Sequence, residues 1–158
     1  MLEIGATAPD FALSDDRGGS FRLRDHKGAP VVLEFYCEDD TGGCVIENQE
    51  FSALAPEFEK LGARIVAISP QDVESHRKFS AKYGLAQPLL ADPDRKAIEP
   101  YGLWQQKKLW GHEFMGVVRV TYLIDAKGKI AGVFKASRIK GHAQKVLDAT
   151  RQLVASSR

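Results

Sequence analysis

The chain has 158 residues, 44% hydrophobic and 27% charged: enough for one globular domain with an apolar core, and too apolar for a disordered chain. Its 22 Lys and Arg balance 21 Asp and Glu, and the net charge of +1 gives no electrostatic case for a nucleic-acid or membrane-surface partner. A domain of this size folds without disulfide or metal staples, so the two cysteines are free for chemistry.

Met1-Leu2-Glu3-Ile4-Gly5 carries an acid where an export signal carries Lys or Arg, and no apolar run approaches the ~18 residues of a membrane span. The expectation is a cytoplasmic protein whose thiols stay reduced. Ala8 to Leu13 and Phe21 to Leu23, separated by the turn-rich segment 14–20, predict a small antiparallel hairpin. Val31 to Tyr36 and Arg64 to Ser69 are short, β-branched and nearly continuous in apolar residues, as strands buried on both faces are. Between them Phe51, Leu54, Phe58 and Leu61 recur at helical spacing, with Gly62 as the stop. Pro56 falls inside this helix and predicts a kink or break near Ala55. A second helix is expected from Val73 to Tyr83, closed by Gly84, and a shorter one from Arg95 to Tyr101. Strands from Val118 to Ile124 and from Ile130 to Phe134 flank a turn at 125–129, and a last helix runs from Ala143 to about Ala155. This order implies one α/β domain over 1–158, with a mixed central sheet flanked by helices and an N-terminal hairpin. A thioredoxin-like fold is the natural expectation.

Cys44 follows a strand and its loop, in Asp39-Asp40-Thr41-Gly42-Gly43-Cys44, at the start of the crossover helix. The free amides and positive dipole end of a helix N-terminus favour a thiolate over a thiol of pKa about 8.5. Thr41 can turn its hydroxyl toward the sulfur, and Gly42 and Gly43 let backbone amides approach a small oxygen-rich ligand. Cysteine statistics alone would equally allow a buried, unreactive Cys44.

Phe35-Tyr36 followed by Asp39-Asp40-Thr41-Gly42-Gly43-Cys44 resembles the active-site loop of peroxiredoxins, most closely the bacterioferritin-comigratory or PrxQ group. The resemblance extends over nearly the whole chain, through Gly5 to Leu13, Tyr101 to Trp104, Met115 to Arg119, Leu123-Ile124-Asp125 and Lys140 to Ala143. It implies a thiol peroxidase that reduces hydrogen peroxide and organic hydroperoxides without a bound cofactor. Cys44 would be the peroxidatic nucleophile that becomes a sulfenic acid. Thr41 would hydrogen-bond the sulfur and the peroxide, Gly43 would line the substrate site, and Arg119, on a strand, would stabilise the thiolate and the leaving oxygen. Glu47, one turn into the helix, would orient the arginine. The implied partners are a peroxide and thioredoxin, glutaredoxin or glutathione as reductant, acting on a monomer or weak homodimer.

Two positions depart from the family pattern. Cys37 stands where the loop usually has proline, and Gln49 stands where a local resolving cysteine would be; the helix 73–83 carries no cysteine either. The sulfenic acid would then be resolved by an external thiol, with Cys37 only filling space, or by Cys37 itself if its Cα comes within about 4.4–6.8 Å of that of Cys44. Glu38, Asp39 and Asp40 read as a solvated turn, and His142 receives no role. The histidines and cysteines lack the short spacing of a zinc site. The aromatic segment around Trp104 and Trp110 reads as mostly core, with an exposed subset able to dock a reductant or second subunit. Two rival functions use the same fold: a thiol-disulfide oxidoreductase pairing Cys37 with Cys44, although the Cys-x-x-Cys spacing is absent, and a non-enzymatic binding module.

Overall fold

The computed structural model describes residues 1–157. In chain order, Ala12–Ser14 (β1) and Ser20–Arg22 (β2) form a two-stranded ribbon with Leu13 opposite Phe21. The ribbon is shorter than expected, because residues 8–11 run without strand pairing although Ala8 and Phe11 are buried. Val31–Phe35 (β3) leads into helix α1, Gly42–Lys60; Arg64–Ser69 (β4) leads into α2, Val73–Tyr83. Leu89–Ala91 (β5) is followed by a hairpin of Trp104–Leu109 (β6) and His112–Val117 (β7). Val120–Ile124 (β8), Ile130–Lys135 (β9) and α3, His142–Ser156, complete the chain.

Five strands form one mixed sheet in the order β5-β4-β3-β8-β9. β3 pairs parallel with β4 and antiparallel with β8, so the longest apolar strands occupy the centre. Alternation along β3 divides the interior. Val31, Leu33 and Phe35 face a cluster with Phe11, Tyr101, Tyr122 and Ile124, while Val32 faces Phe51, Phe58, Leu123, Val146 and Leu147 beneath α1 and α3. Phe51 and Phe58 are fully buried, and each seats α1 on the sheet with on the order of 1.5–3 kcal/mol of apolar burial.

The expected break at Pro56 does not occur: α1 is continuous through it. Proline removes one backbone bond, but the anchors Phe51 and Phe58 hold the helix to the sheet on both sides of it. The expected short helix at 95–101 is instead a run of turns. There the Asp92 carboxylate accepts from the amides of Lys96, Ala97 and Ile98, and Arg95 takes φ of 58°, which satisfies the backbone without a regular helix. The strand expected from Val118 begins at Val120, and the preceding aromatic segment forms the β6–β7 hairpin. Gly84 closes α2 in the left-handed conformation, as its position after Tyr83 predicts. No helix among the described residues is long and apolar enough to cross a membrane.

Candidate active site

The site begins where β3 ends. The loop 36–41 is tied to the second helix through Asp39 and Asp40, which corrects the solvated reading for Asp39, while Glu38 and Asp40 are exposed as expected. Asp39 accepts from Tyr36 Oη at 2.6 Å and Ser75 Oγ at 2.7 Å, and its Oδ2 lies 2.7 Å from His76 Nδ1. Burial pushes the Asp39 carboxyl up, but the bonds from His76, Tyr36 and Ser75 outweigh it and hold its pKa below the usual range. His76 Nε2 faces the Leu90 carbonyl oxygen at 3.0 Å, so both ring nitrogens of this buried histidine meet acceptors. Gln71 holds the loop backbone from the other side: Oε1 accepts from Asp39 N at 3.1 Å and Nε2 donates to the Cys37 carbonyl at 3.3 Å. Asp40, at φ of 56°, accepts from Lys82 Nζ at 2.7 Å and Tyr83 Oη at 2.6 Å.

This anchoring delivers Cys44 to the first turn of α1, where it is buried with 4% of its surface exposed. Its pKa is held down to about 5, most strongly by the hydrogen bond from the Cys37 thiol. Burial opposes this, while backbone groups of Glu38 and Cys37 and the Thr41 hydroxyl support the thiolate. Thr41 Oγ1 donates to the Glu38 carbonyl at 3.1 Å; its single proton serves that oxygen or the sulfur, and rotation about the C–O bond exchanges them.

Arg119 lies in the two-residue gap between β7 and β8, not on a strand as expected, and its carbonyl accepts from Ala136 N at 3.1 Å. Its backbone thus continues the β8–β9 pairing by one bond, and its side chain reaches the helix start. A Cβ on Gly43 would stand 2.8 Å from Arg119 Nη1 and 2.5 Å from Ile139 Cδ1. Glycine at 43 is therefore what allows the guanidinium against the first turn of α1.

Beneath these groups lie buried carboxyls. Glu47 Oε1 lies 3.4 Å from His142 Nε2 without a hydrogen bond to either of its oxygens, and Arg119 acts on it through space. Burial, then the Cys44 thiolate, push Glu47 up to about 8, with Arg119 opposing. Glu34, on β3, is fully buried with neither oxygen hydrogen-bonded, and burial and Glu47 hold it neutral well above the ordinary carboxyl range. His142 Nε2 is 2.8 Å from Thr121 Oγ1; burial lowers its pKa to about 4, so the ring is neutral near pH 7. Sequence reasoning missed Glu34, Gln71, His76 and Thr121. The one available signal was Glu34 itself, an acid inside an otherwise apolar central strand.

Cys37 completes the site. Its Sγ lies 3.1 Å from the Val117 carbonyl oxygen and 3.5 Å from Lys107 Nζ; its single proton serves that carbonyl or the Cys44 sulfur, and Cys44 together with burial pushes its pKa up. The two opposite shifts describe one proton shared by a close sulfur pair, and it rests on Cys37. No group of three or more His, Cys, Asp and Glu among the described residues could hold a metal ion. A cavity of about 340 Å³ is lined by Thr7, Asp10, His26, Val31 and Asp125. Val31 opens β3 while Cys44 follows its far end, so this cavity is separate from the sulfur chemistry.

Residues 4–133 match the AhpC/TSA family. A peroxiredoxin bcp of Helicobacter pylori is 43% identical over 147 residues, covering 93% of this chain and 97% of that protein. The peroxiredoxin Bcp of Bacillus subtilis is 37% identical over 152 residues, 96% of this chain and 97% of that one. The Xanthomonas campestris bacterioferritin comigratory protein, solved in connection with its alkyl peroxide reduction activity, superposes with a TM-score of 0.88 at 36% identity over 98% of both chains. A Xylella fastidiosa PrxQ variant superposes at 0.90 with 29% identity, covering 100% of this chain and 99% of that one. Such agreement over nearly the full length bears out the thioredoxin-like fold. The chain belongs to the AhpC/TSA family, in its peroxiredoxin Bcp or PrxQ group, and is a thiol-dependent peroxidase.

Proposed function

We propose that Cys44 is the peroxidatic cysteine for hydrogen peroxide and organic hydroperoxides, and that Cys37 resolves its sulfenic acid. The thiolate attacks the nearer peroxide oxygen, an S–O bond forms, the O–O bond breaks, and the departing hydroxide or alkoxide takes a proton to leave as water or alcohol. Arg119 meets the charge growing on that oxygen. Thr41 turns its hydroxyl to the sulfur and substrate, Gly43 keeps room for the guanidinium, and Glu47 in its ionised form orients the arginine. The carrying observation is a sulfur with its pKa held down to about 5 at the start of α1, with the Arg119 guanidinium against Gly43 one residue away.

Cys37 packs against the buried cluster that contains Cys44, and each sulfur shifts the other's pKa, which favours Cys37 over a purely external resolving thiol. The resulting disulfide is then reduced by thioredoxin, glutaredoxin or glutathione. All six residues come from one chain, which suits a monomer or weak homodimer, and two unpaired thiols suit a reducing cytoplasm. Stopped-flow measurement of peroxide loss tests the assignment. Cys44→Ser is expected to abolish the reaction and Arg119→Ala to slow it by about 10²–10³-fold. Full activity in the serine variant overturns it.

A further inference from the structure

The β6–β7 hairpin brings one side chain to the sulfur pair. Lys107 sits in mid β6, opposite Phe114 in the ladder, and its Nζ reaches 3.5 Å from Cys37 Sγ. The same sulfur lies 3.1 Å from the Val117 carbonyl oxygen, at the end of β7, and packs against the cluster that contains Cys44 at the start of α1; its one proton serves that carbonyl or the Cys44 sulfur. Cys37 thus stands between two opposite charges: the Cys44 thiolate, which keeps the proton on Cys37, and the Lys107 ammonium, which favours its loss.

Only one of these charges survives peroxide. Once Cys44 carries a hydroxyl it is neutral, and the main force holding the Cys37 proton disappears; burial still favours the thiol, and the ammonium remains to oppose it. We propose that Lys107 is the positioning residue that turns Cys37 into a nucleophile only after Cys44 has been oxidised. The inference rests on the reading of Cys37 as the resolving cysteine. In the step itself Cys37 loses its proton and its sulfur attacks the Cys44 sulfur. The S–S bond forms, the S–O bond breaks, and the leaving hydroxide takes up a proton to depart as water. No electrons beyond those of the two sulfurs are needed, and the external thiol of the peroxidase cycle later reduces the disulfide. Before oxidation the same arrangement keeps Cys37 a thiol, which leaves the peroxide to Cys44.

The test follows disulfide formation by quenched mass spectrometry after one equivalent of hydrogen peroxide, from pH 5.5 to 9, in the wild type, Lys107→Met and Lys107→Arg. An opposite charge at this distance shifts a pKa by about 1–3 units, and lower basicity also weakens the nucleophile, so Lys107→Met should slow disulfide formation roughly 3- to 30-fold near pH 7. The deficit should shrink toward pH 9, and Lys107→Arg should restore most of the rate; a merely structural lysine would give neither result. Equal rates and equal pH profiles in wild type and Lys107→Met overturn the inference and leave the role of Cys37 intact. If the wild type forms no Cys37–Cys44 disulfide and retains a sulfenic acid on Cys44, the reading of Cys37 fails and the inference falls with it.

Discussion

Cys44 owes its low pKa less to its place on the helix than to a second cysteine. Helix position alone predicts a lowered value, yet the largest contribution is the hydrogen bond from Cys37, and burial works against both. Replacing Cys37 with alanine should therefore raise the Cys44 pKa from about 5 by a unit or more, read as thiolate absorbance against pH. The rate of the first peroxide step below pH 6 should fall with it. An unchanged titration in Cys37→Ala would mean that the thiol-to-thiolate contact does not carry the shift. Cys37 and Cys44 were both visible in the sequence, seven positions apart, but which of them holds the proton depends on the Val117 carbonyl and Lys107, which arrive from seventy and more positions away.

The elements matter through their ends. β3 ends at Phe35, α1 begins at Gly42, and the loop between them is fixed by α2 through Asp39, Asp40, Ser75, His76 and Lys82. Arg119 sits in the gap between β7 and β8, its carbonyl bonded to Ala136 N just past β9 and its guanidinium at the first turn of α1. Gly43→Ala tests that junction. Its methyl would have to displace both Arg119 Nη1 and Ile139 Cδ1, while helix propensity favours alanine by about 1 kcal/mol. The variant should keep or slightly raise its melting temperature yet lose on the order of 10-fold or more in peroxide turnover, since a misplacement near 1 Å costs up to 10²-fold. Full turnover with a raised melting temperature would show that the guanidinium position is not critical. Strand and helix identities were readable from period and punctuation. The Asp92-capped turns at 95–101 and the missing break at Pro56 were not, because long-range packing and side-chain-to-backbone bonds overrode local propensity there.

Across the whole molecule, the buried charges of the site compete. Glu47 is raised to about 8, so the folded state holds a proton the unfolded chain releases near pH 4.5, and stability from this group is lost as pH rises through 8. Cys44 is lowered to about 5 from about 9, so its contribution runs the other way, present at high pH and lost as pH falls through 5. Glu34, also raised, adds to the falling slope and His142, lowered to about 4, adds to the rising one below pH 6.5, so the groups oppose each other between pH 5 and 8 and wild-type stability should vary little there. Cys44→Ser removes the thiolate's rising term, so its melting temperature should drop between pH 5 and pH 8 by more than that of the wild type. A flat curve in the serine variant would refute the opposition. The sequence by itself determined the chain's family, its central strands and the nucleophile candidate, because these rest on local periods and on one contiguous loop. Only the tertiary structure decided that Glu34 is a buried acid beneath that nucleophile, that Asp39 is clamped by His76, and that Lys107 reaches Cys37. Those relations join residues brought together by sheet order and the β6–β7 hairpin, and no local pattern encodes which distant side chain meets which.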